Sequence, residues 1–317
     1  MMTQIQPKLV IHGGAGSSLQ SKGGITIVRQ LLHKIVEEVY TMLLAGSSAK
    51  SSVVRGCKLL EDDPYFNAGN GSVLQSDGQI RMSASLMDGC NQSFSGIINV
   101  SRVKNPIDLA LFLQDASDRV LSDYGAAELV RDLQIPSCDV MTDIRLQEWI
   151  QGRQGKLKKT MAGVIAESKL IETSAPGQGT VGVVALDTCG KIAAATSTGG
   201  KGFERIGRVS DSAMPAGNYA TSDAGASCTG IGEDIIDECL APRIVIRVSD
   251  GMSLRRAMEK SLIEAGENKR DLGVIALSAE GSIAWGKTSN VLLAAFHNGN
   301  KIGDTLELKP GMQIGCI

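Results

Sequence analysis

The sequence predicts a layered α/β fold, an αββα sandwich in which two β-sheets are stacked between two layers of helices. Two observations carry that expectation. Residues 182–193 (GVVALDTCGKIA) and 273–284 (GVIALSAEGSIA) echo one another. Each has an apolar strand, a short turn ending in Gly190 or Gly281, and a returning apolar strand, the pattern of a β-hairpin. Their strands are apolar at successive positions, so both faces are buried, as in sheets covered on each side. Helices expected at the amino end and after Ser253 would supply the outer covers.

Residues 9–12 read as a short buried strand that ends in the turn Gly13-Gly14-Ala15-Gly16. From 25 to 44 the residues Val28, Leu31, Leu32, Ile35, Val36, Val39, Met42 and Leu43 recur at three and four, an amphipathic helix with Gly46 as its stop. A second helix is expected over 48–60, and Pro64 prevents its continuation. Residues 96–103 read as a strand, 107–120 as a helix and 126–133 as another short helix. The stretch 151–179 is rich in Gly, Lys, Gln, Ser and Pro, and reads as an exposed, cleavable connection.

With 317 residues, 43% of them hydrophobic and 21% charged, there is ample material for a core. The length accommodates one large domain or two small ones. Lys plus Arg (32) and Asp plus Glu (34) nearly cancel, which excludes the broad fields that draw proteins to nucleic acid or anionic membranes. No stretch reaches the roughly 18 apolar residues of a membrane span, and the amino end lacks the pattern of a secretory leader. The cytoplasm is therefore the expected compartment. Seven cysteines, an odd number without a C-x-x-C pair, are read as reduced thiols.

If the 182–193 hairpin turns about Thr188, residues whose numbers sum to about 377 face one another. Thr180 then sits beside Ser197 and Thr198. It follows Gly179, at the end of a flexible segment and the beginning of a buried strand, a position suited to main-chain cleavage. A threonine hydroxyl is a weak nucleophile, but an N-terminal threonine carries its own base, because an α-amino group titrates at roughly 7.7 to 8.0. The chain has only three histidines, His12, His33 and His297, and no G-x-S-x-G elbow, so a Ser-His-Asp triad is not expected. Arg208 and Asp211 offer a guanidinium fork and a carboxylate, a fit for the α-carboxylate and α-ammonium of an amino acid. By spacing alone the commoner reading is a surface ion pair. Thr229, Gly230 and Gly232 precede an expected helix, where free N–H groups suit oxyanion stabilisation or simply cap the helix. His12 is read as a core or turn residue, Cys228 as buried filler, and Asn67 as a turn residue or a site residue. Residues 13–16 lack the further signature of a nucleotide loop, and no cluster has the spacing of a transition-metal site.

Taken in order, His12-Gly-Gly-Ala-Gly16, Phe66-Asn-Ala-Gly69, Ser85-Leu-Met-Asp-Gly89, Gly179-Thr-Val-Gly182, Ala195-Thr-Ser-Thr-Gly-Gly200, Gly207-Arg-Val-Ser-Asp-Ser212 and Cys228-Thr-Gly-Ile-Gly-Glu233 resemble the plant-type asparaginase family. That family includes isoaspartyl peptidases. The resemblance implies an Ntn-hydrolase of αββα architecture, a single domain over 1–317 with 151–179 as a flexible linker. It implies self-cleavage between Gly179 and Thr180 by an N-to-O acyl shift, giving subunits 1–179 and 180–317. Thr180 would be the nucleophile, Thr198 the group that orients it, Thr229 and Gly230 the oxyanion hole, and Asn67 a neighbour of the nucleophile. Arg208 and Asp211, with Thr229, Gly230 and Gly232, would hold the substrate. Asparagine and β-aspartyl dipeptides are the implied substrates and (αβ)2 the implied assembly. No cofactor is required for catalysis, but a structural sodium ion is implied on main-chain carbonyls of Leu60, Glu61, Asp63, Phe66, Ala68 and Asn70. Alternative activities are those of a glycosylasparaginase or a taspase-like threonine endopeptidase. From another class, an unprocessed small-amino-acid-binding protein is the rival. Gln178 stands where many relatives carry His or Asp, and residues 201–206 depart from the usual run.

Overall fold

The computed structural model describes residues 5–16, 24–162 and 179–317, with residues 155–162 described by backbone alone. The first part contains β1 (Lys8–Gly16), α1 (Ile25–Leu44), α2 (Ala49–Asp62), β2 (Met82–Asp88), β3 (Ser93–Val100), α3 (Pro106–Leu113), β4 (Val120–Ser122), α4 (Asp123–Asp132) and α5 (Asp143–Ala162). The second contains β5 (Val181–Leu186), β6 (Ile192–Thr198), β7 (Asn218–Ala220), β8 (Ala224–Gly230), α6 (Gly232–Glu238), α7 (Leu240–Ser249) and α8 (Leu254–Glu267), then β9 (Leu272–Ser278), β10 (Ile283–Lys287), β11 (Val291–His297), β12 (Ile302–Asp304) and β13 (Gln313–Cys316). One sheet has the order β12-β11-β1-β5-β6-β2-β3-β4, the other β13-β10-β9-β8-β7.

Alternation along the strands builds the layers. In β5, Val181, Val183 and Ala185 join the core formed with α1 and α2, which includes Leu32, Val36, Val53 and Leu60. Val184 and Leu186 turn the other way, into the space between the sheets. The second sheet mirrors this arrangement: Leu272, Val274 and Ala276 of β9 pack with Ile244 of α7 and Leu262 of α8, whereas Ile275 and Leu277 meet the first sheet. Each such buried Val, Ile or Leu contributes roughly 1.5–3 kcal/mol relative to exposure. The order helix, sheet, sheet, helix is the one expected, and both expected hairpins form, as β5–β6 and β9–β10.

The first helix forms over the expected residues, with Val28, Leu32, Ile35, Val36, Val39 and Leu43 buried. Ser48 caps α2 by accepting the Ser51 N–H, and Ser253 caps α8 by accepting the Arg256 N–H. Three expectations are corrected. Residues 13–16 are not a turn beyond the first strand. They continue β1 along β11 past a bulge between His12 and Ala15, while the pairing with β5 ends at His12. The helix expected over 107–120 stops at Leu113. The buried Gln114 side chain donates from Nε2 to Leu86 O and Ser95 Oγ, both at 2.9 Å, and Val120–Ser122 adds a parallel edge strand to β3. The irregular connection expected from 151 begins instead as α5, which is anchored at its start. Arg145 Nε donates to Gly71 O (2.8 Å) and Trp149 Nε1 to Gln75 O (2.9 Å). The rest of that connection, Gln178 included, lies outside the described residues.

All seven cysteines are free thiols. Among the described residues no helix is long and apolar enough to cross a membrane.

Candidate active site

The hairpin that presents Thr180 is tied at its turn by Asp187. Its Oδ1 accepts the N–H groups of Cys189 (2.9 Å) and Lys191 (3.0 Å), while Oδ2 accepts the Ala49 N–H at the start of α2 (3.0 Å). Side-chain turns of this kind set register. The paired residues sum to 378, one more than expected, so Thr180 lies level with Thr198. In a strand, one residue exchanges faces. Thr196 and Thr198 therefore face the second sheet, with Thr196 Oγ1 2.7 Å from Ser227 Oγ, whereas Ser197 turns to the helix layer and donates to Glu61 Oε1 (2.7 Å). Of the two hydroxyls expected beside Thr180, Thr198 alone is on its side.

Thr180 is buried. Its N–H donates to Thr229 Oγ1 on β8 (3.2 Å), and its Oγ1 lies 3.2 Å from Ser212 Oγ. Thr229 Oγ1 also accepts the Ala15 N–H (3.0 Å), which follows the β1 bulge. With both lone pairs taken by amides, the Thr229 O–H is left to donate elsewhere. Thr198 Oγ1 accepts the Gly200 N–H (3.1 Å) and is not the hydroxyl bonded to Thr180. That partner is Ser212, whose own carbonyl is held by Ser85 Oγ (2.6 Å). Ser212 carries no sequence signal beyond closing the motif that contains Arg208 and Asp211.

Gly179, Thr180, Thr198, Arg208, Asp211, Gly230 and Gly232 line one cavity of about 10 Å³, room for about one water. Gly179 is part of its wall, so the uncut chain occupies space next to the Thr180 hydroxyl. Arg208 and Asp211 do not pair with each other. Arg208 donates from Nε and Nη2 to the two carboxylate oxygens of Glu233 (2.9 and 3.0 Å), and Lys201 Nζ lies 3.1 Å from the same group. The hydrogen bonds from Arg208 hold the Glu233 carboxyl down to about 2. Asp211 is buried with Oδ2 unpartnered among the described residues, and burial pushes its carboxyl up to about 7 against the pull of Arg208. A buried carboxylate oxygen without a donor is a receptor for a cationic N–H group. Gly232 makes this closeness possible, because a Cβ there would stand 2.7 Å from both Arg208 Nη2 and Asp211 Oδ1.

The other candidates support the site from behind. Asn67 spends its amide on structure: Nδ2 donates to Gly200 O (2.6 Å) and Oδ1 accepts the Val73 N–H (3.1 Å). His12 is a core residue as expected, its Nε2 3.0 Å from Ser227 Oγ, and burial pushes its imidazole down to about 3, which leaves it neutral. Burial raises the Cys228 thiol, so it is no thiolate nucleophile. At the end of α2, Pro64 has no N–H to return to Leu60 O, and the Tyr65 N–H is taken by Asp63 Oδ1 (2.9 Å). Helix-end carbonyls left this way need another partner, and oxygen-only sets suit hard cations. In the same loop, Asp63 O and Ala68 O accept the N–H groups of Phe66 (3.3 Å) and Gly71 (3.1 Å), which leaves each a second lone pair. Among the described residues no group of three or more His, Cys, Asp or Glu is placed to hold a metal.

A family model described as asparaginase matches residues 5–307. The chain is 71% identical over 317 residues to an isoaspartyl peptidase/L-asparaginase of Nostoc sp. (strain PCC 7120), with 100% of both chains covered. It is 35% identical over 311 residues to a Bos taurus protein of the same name, covering 95% of this chain and 98% of that one. To a plant-type L-asparaginase of Pyrococcus abyssi it is 33% identical over 304 residues, covering 91% and 95%. With two sheets between helix layers and a match that runs from β1 into the last strands, the chain belongs to the asparaginase family.

Proposed function

We propose that this chain is a self-processing amidohydrolase that converts L-asparagine to L-aspartate and ammonia and cleaves β-aspartyl dipeptides, with Thr180 as nucleophile. The observation that carries this reading is the convergence on one small cavity of the Thr180 hydroxyl, the Gly179–Thr180 peptide and an amino-acid grip made by Arg208 and Asp211. The names of its relatives agree with it.

In processing, Thr180 Oγ attacks the Gly179 carbonyl, the peptide C–N bond breaks to leave an ester, and water hydrolyses the ester. The products are a Gly179 carboxylate and a free Thr180 amine, hence subunits 1–179 and 180–317 of a single domain. The Thr229 Oγ that accepts the Thr180 N–H in the uncut chain then accepts from the new amine, which leaves the amine lone pair for the Thr180 hydroxyl proton. In turnover, Arg208 takes the substrate α-carboxylate and Asp211 the α-ammonium, which places the side-chain amide at Thr180 Oγ. The amine removes the hydroxyl proton, Oγ attacks the amide carbon, and the oxyanion meets the Thr229 O–H and Gly230 N–H. The amine returns the proton to the leaving nitrogen, and water then releases aspartate from the acyl-enzyme. Ser212 orients the nucleophile, and Thr198 holds the neighbouring turn at Gly200.

The carbonyls of Leu60, Glu61, Asp63, Phe66, Ala68 and Asn70 would hold a structural sodium ion, bracing the loop from which Asn67 supports Gly200. We further place the enzyme in the cytoplasm as an (αβ)2 assembly; the seven free thiols suit a reducing compartment.

Denaturing electrophoresis and mass spectrometry test the proposal. Purified protein runs as two fragments that release ammonia from asparagine, whereas Thr180→Ala stays one inactive chain of 33.3 kDa. An intact, active wild type would overturn the mechanism. An intact chain that binds amino acids without turnover would establish the binding-protein alternative.

A further inference from the structure

The small cavity at Thr180 adjoins a much larger cleft of about 520 Å³, and Lys201 and Arg208 line both. Volumes of this size are typical of ligand sites, ~300–1,000 Å³. Asparagine loses only ammonia and has no use for such a space. The cleft is formed by the segment from Lys201 to Arg208 together with Glu233.

This segment is rigid at its base. The Phe203 N–H donates to Leu74 O (3.0 Å), the Ser76 N–H donates to Glu204 O (3.1 Å), and the Glu204 side chain is buried. The Arg208 N–H donates to Arg205 O (3.1 Å), closing a four-residue turn in which Gly207 has φ +84°. Glycine takes that conformation without strain. The turn lifts its first two residues into the open. Ile206 is 60% exposed, and Arg205 is exposed with no ion pair among the described residues. Lys201, by contrast, is paired with Glu233, and Arg208, bonded to the same carboxylate through Nε and Nη2, lines the Thr180 cavity where the α-carboxylate is placed. An uncommitted guanidinium beside a bare isoleucine matches an amino acid with a free carboxylate and an apolar side chain.

We propose that this cleft is the subsite for the departing residue of a β-aspartyl dipeptide, with Arg205 binding its free carboxylate and Ile206 packing on an apolar side chain. The inference rests on the hydrolase reading above and names a specificity-determining residue for it. The test compares steady-state kinetics of wild type, Arg205→Gln and Arg205→Lys on three substrates: asparagine, β-aspartyl-leucine and β-aspartyl-leucinamide. Arg205→Gln raises the KM for β-aspartyl-leucine on the order of tenfold, the worth of one charge-assisted hydrogen bond. Arg205→Lys stays near wild type, the amide substrate is insensitive to either change, and both variants handle asparagine as wild type does. An unchanged KM for the dipeptide in Arg205→Gln overturns the subsite, as does an equal rise in KM for asparagine. A processed wild type inactive on all three substrates defeats the hydrolase reading and the subsite with it, whereas turnover of asparagine with no dipeptide cleavage defeats the subsite alone.

Discussion

Gly232 has no chemistry of its own, so Gly232→Ala isolates the geometry of the amino-acid grip. The added Cβ would stand 2.7 Å from Arg208 Nη2 and 2.7 Å from Asp211 Oδ1, about 0.7 Å inside ordinary contact. Arg208 retreats only by loosening its 3.0 Å bond from Nη2 to Glu233 Oε2, and Asp211 is 2% exposed with little room behind it. Both groups that would receive the substrate head are displaced together. A hydrogen bond to a charged group is worth about 1.5–3 kcal/mol, so losing one raises KM for asparagine by roughly 10- to 150-fold. Thr180 and Thr229 are untouched, so kcat falls less than KM rises. Stability by urea unfolding falls by about 1–3 kcal/mol, the usual cost of overpacking a buried contact. Wild-type KM in Gly232→Ala would refute the placement of the substrate head between Arg208 and Asp211.

Thr229→Val leaves the N–H groups of Ala15 and Thr180 without their acceptor. It lowers stability by about 2–4 kcal/mol and kcat on the order of a hundredfold, with Thr229→Ser restoring most of both; a Val variant with full kcat removes Thr229 from the oxyanion role. The ratio kcat/KM for asparagine falls as pH drops through about 7, because Asp211, raised to about 7 by burial, is neutral below that pH and no longer attracts an α-ammonium. Loss of the neutral Thr180 amine acts in the same direction. A profile flat between about pH 5 and 8 contradicts both assignments. Lys287 is fully buried and its Nζ lies within hydrogen-bond distance of the carbonyls of Ser289 (3.0 Å), Asn290 (3.0 Å), Lys309 (2.7 Å) and Gly311 (2.8 Å). Lys287→Met strands that set and costs on the order of 3 kcal/mol in urea unfolding; a change under about 1 kcal/mol shows that the carbonyls find other partners.

Much of the site is legible in the sequence. Gly179-Thr180 heads a run apolar on successive positions, and such a run reads as a strand buried on both faces. Arg208 and Asp211 carry the charges that an amino acid requires. What stayed hidden depends on distant partners. Their i,i+3 spacing suggests an ion pair, yet Arg208 bonds to Glu233, twenty-five residues on, and Asp211 keeps Oδ2 without a partner among the described residues. The hairpin register differs by one residue because the turn closed by the Gly190 N–H on Asp187 O ends in Gly190 at φ +78°, which adds a residue before the Asp187 N–H meets Lys191 O. Residues 107–120 look helical locally, but Gln114 finds three hydrogen-bond acceptors on β2 and β3 and the chain turns there.

Residue pattern by itself determined the layered architecture, the hairpins and the family motifs, because alternation and helical spacing are local properties that every buried face imposes on its own strand or helix. Which hydroxyl meets Thr180 was decided only by the tertiary structure. Ser212, Thr229 and Ala15 reach the site from three separate segments, and their approach is set by the packing of one sheet on the other rather than by their neighbours in sequence.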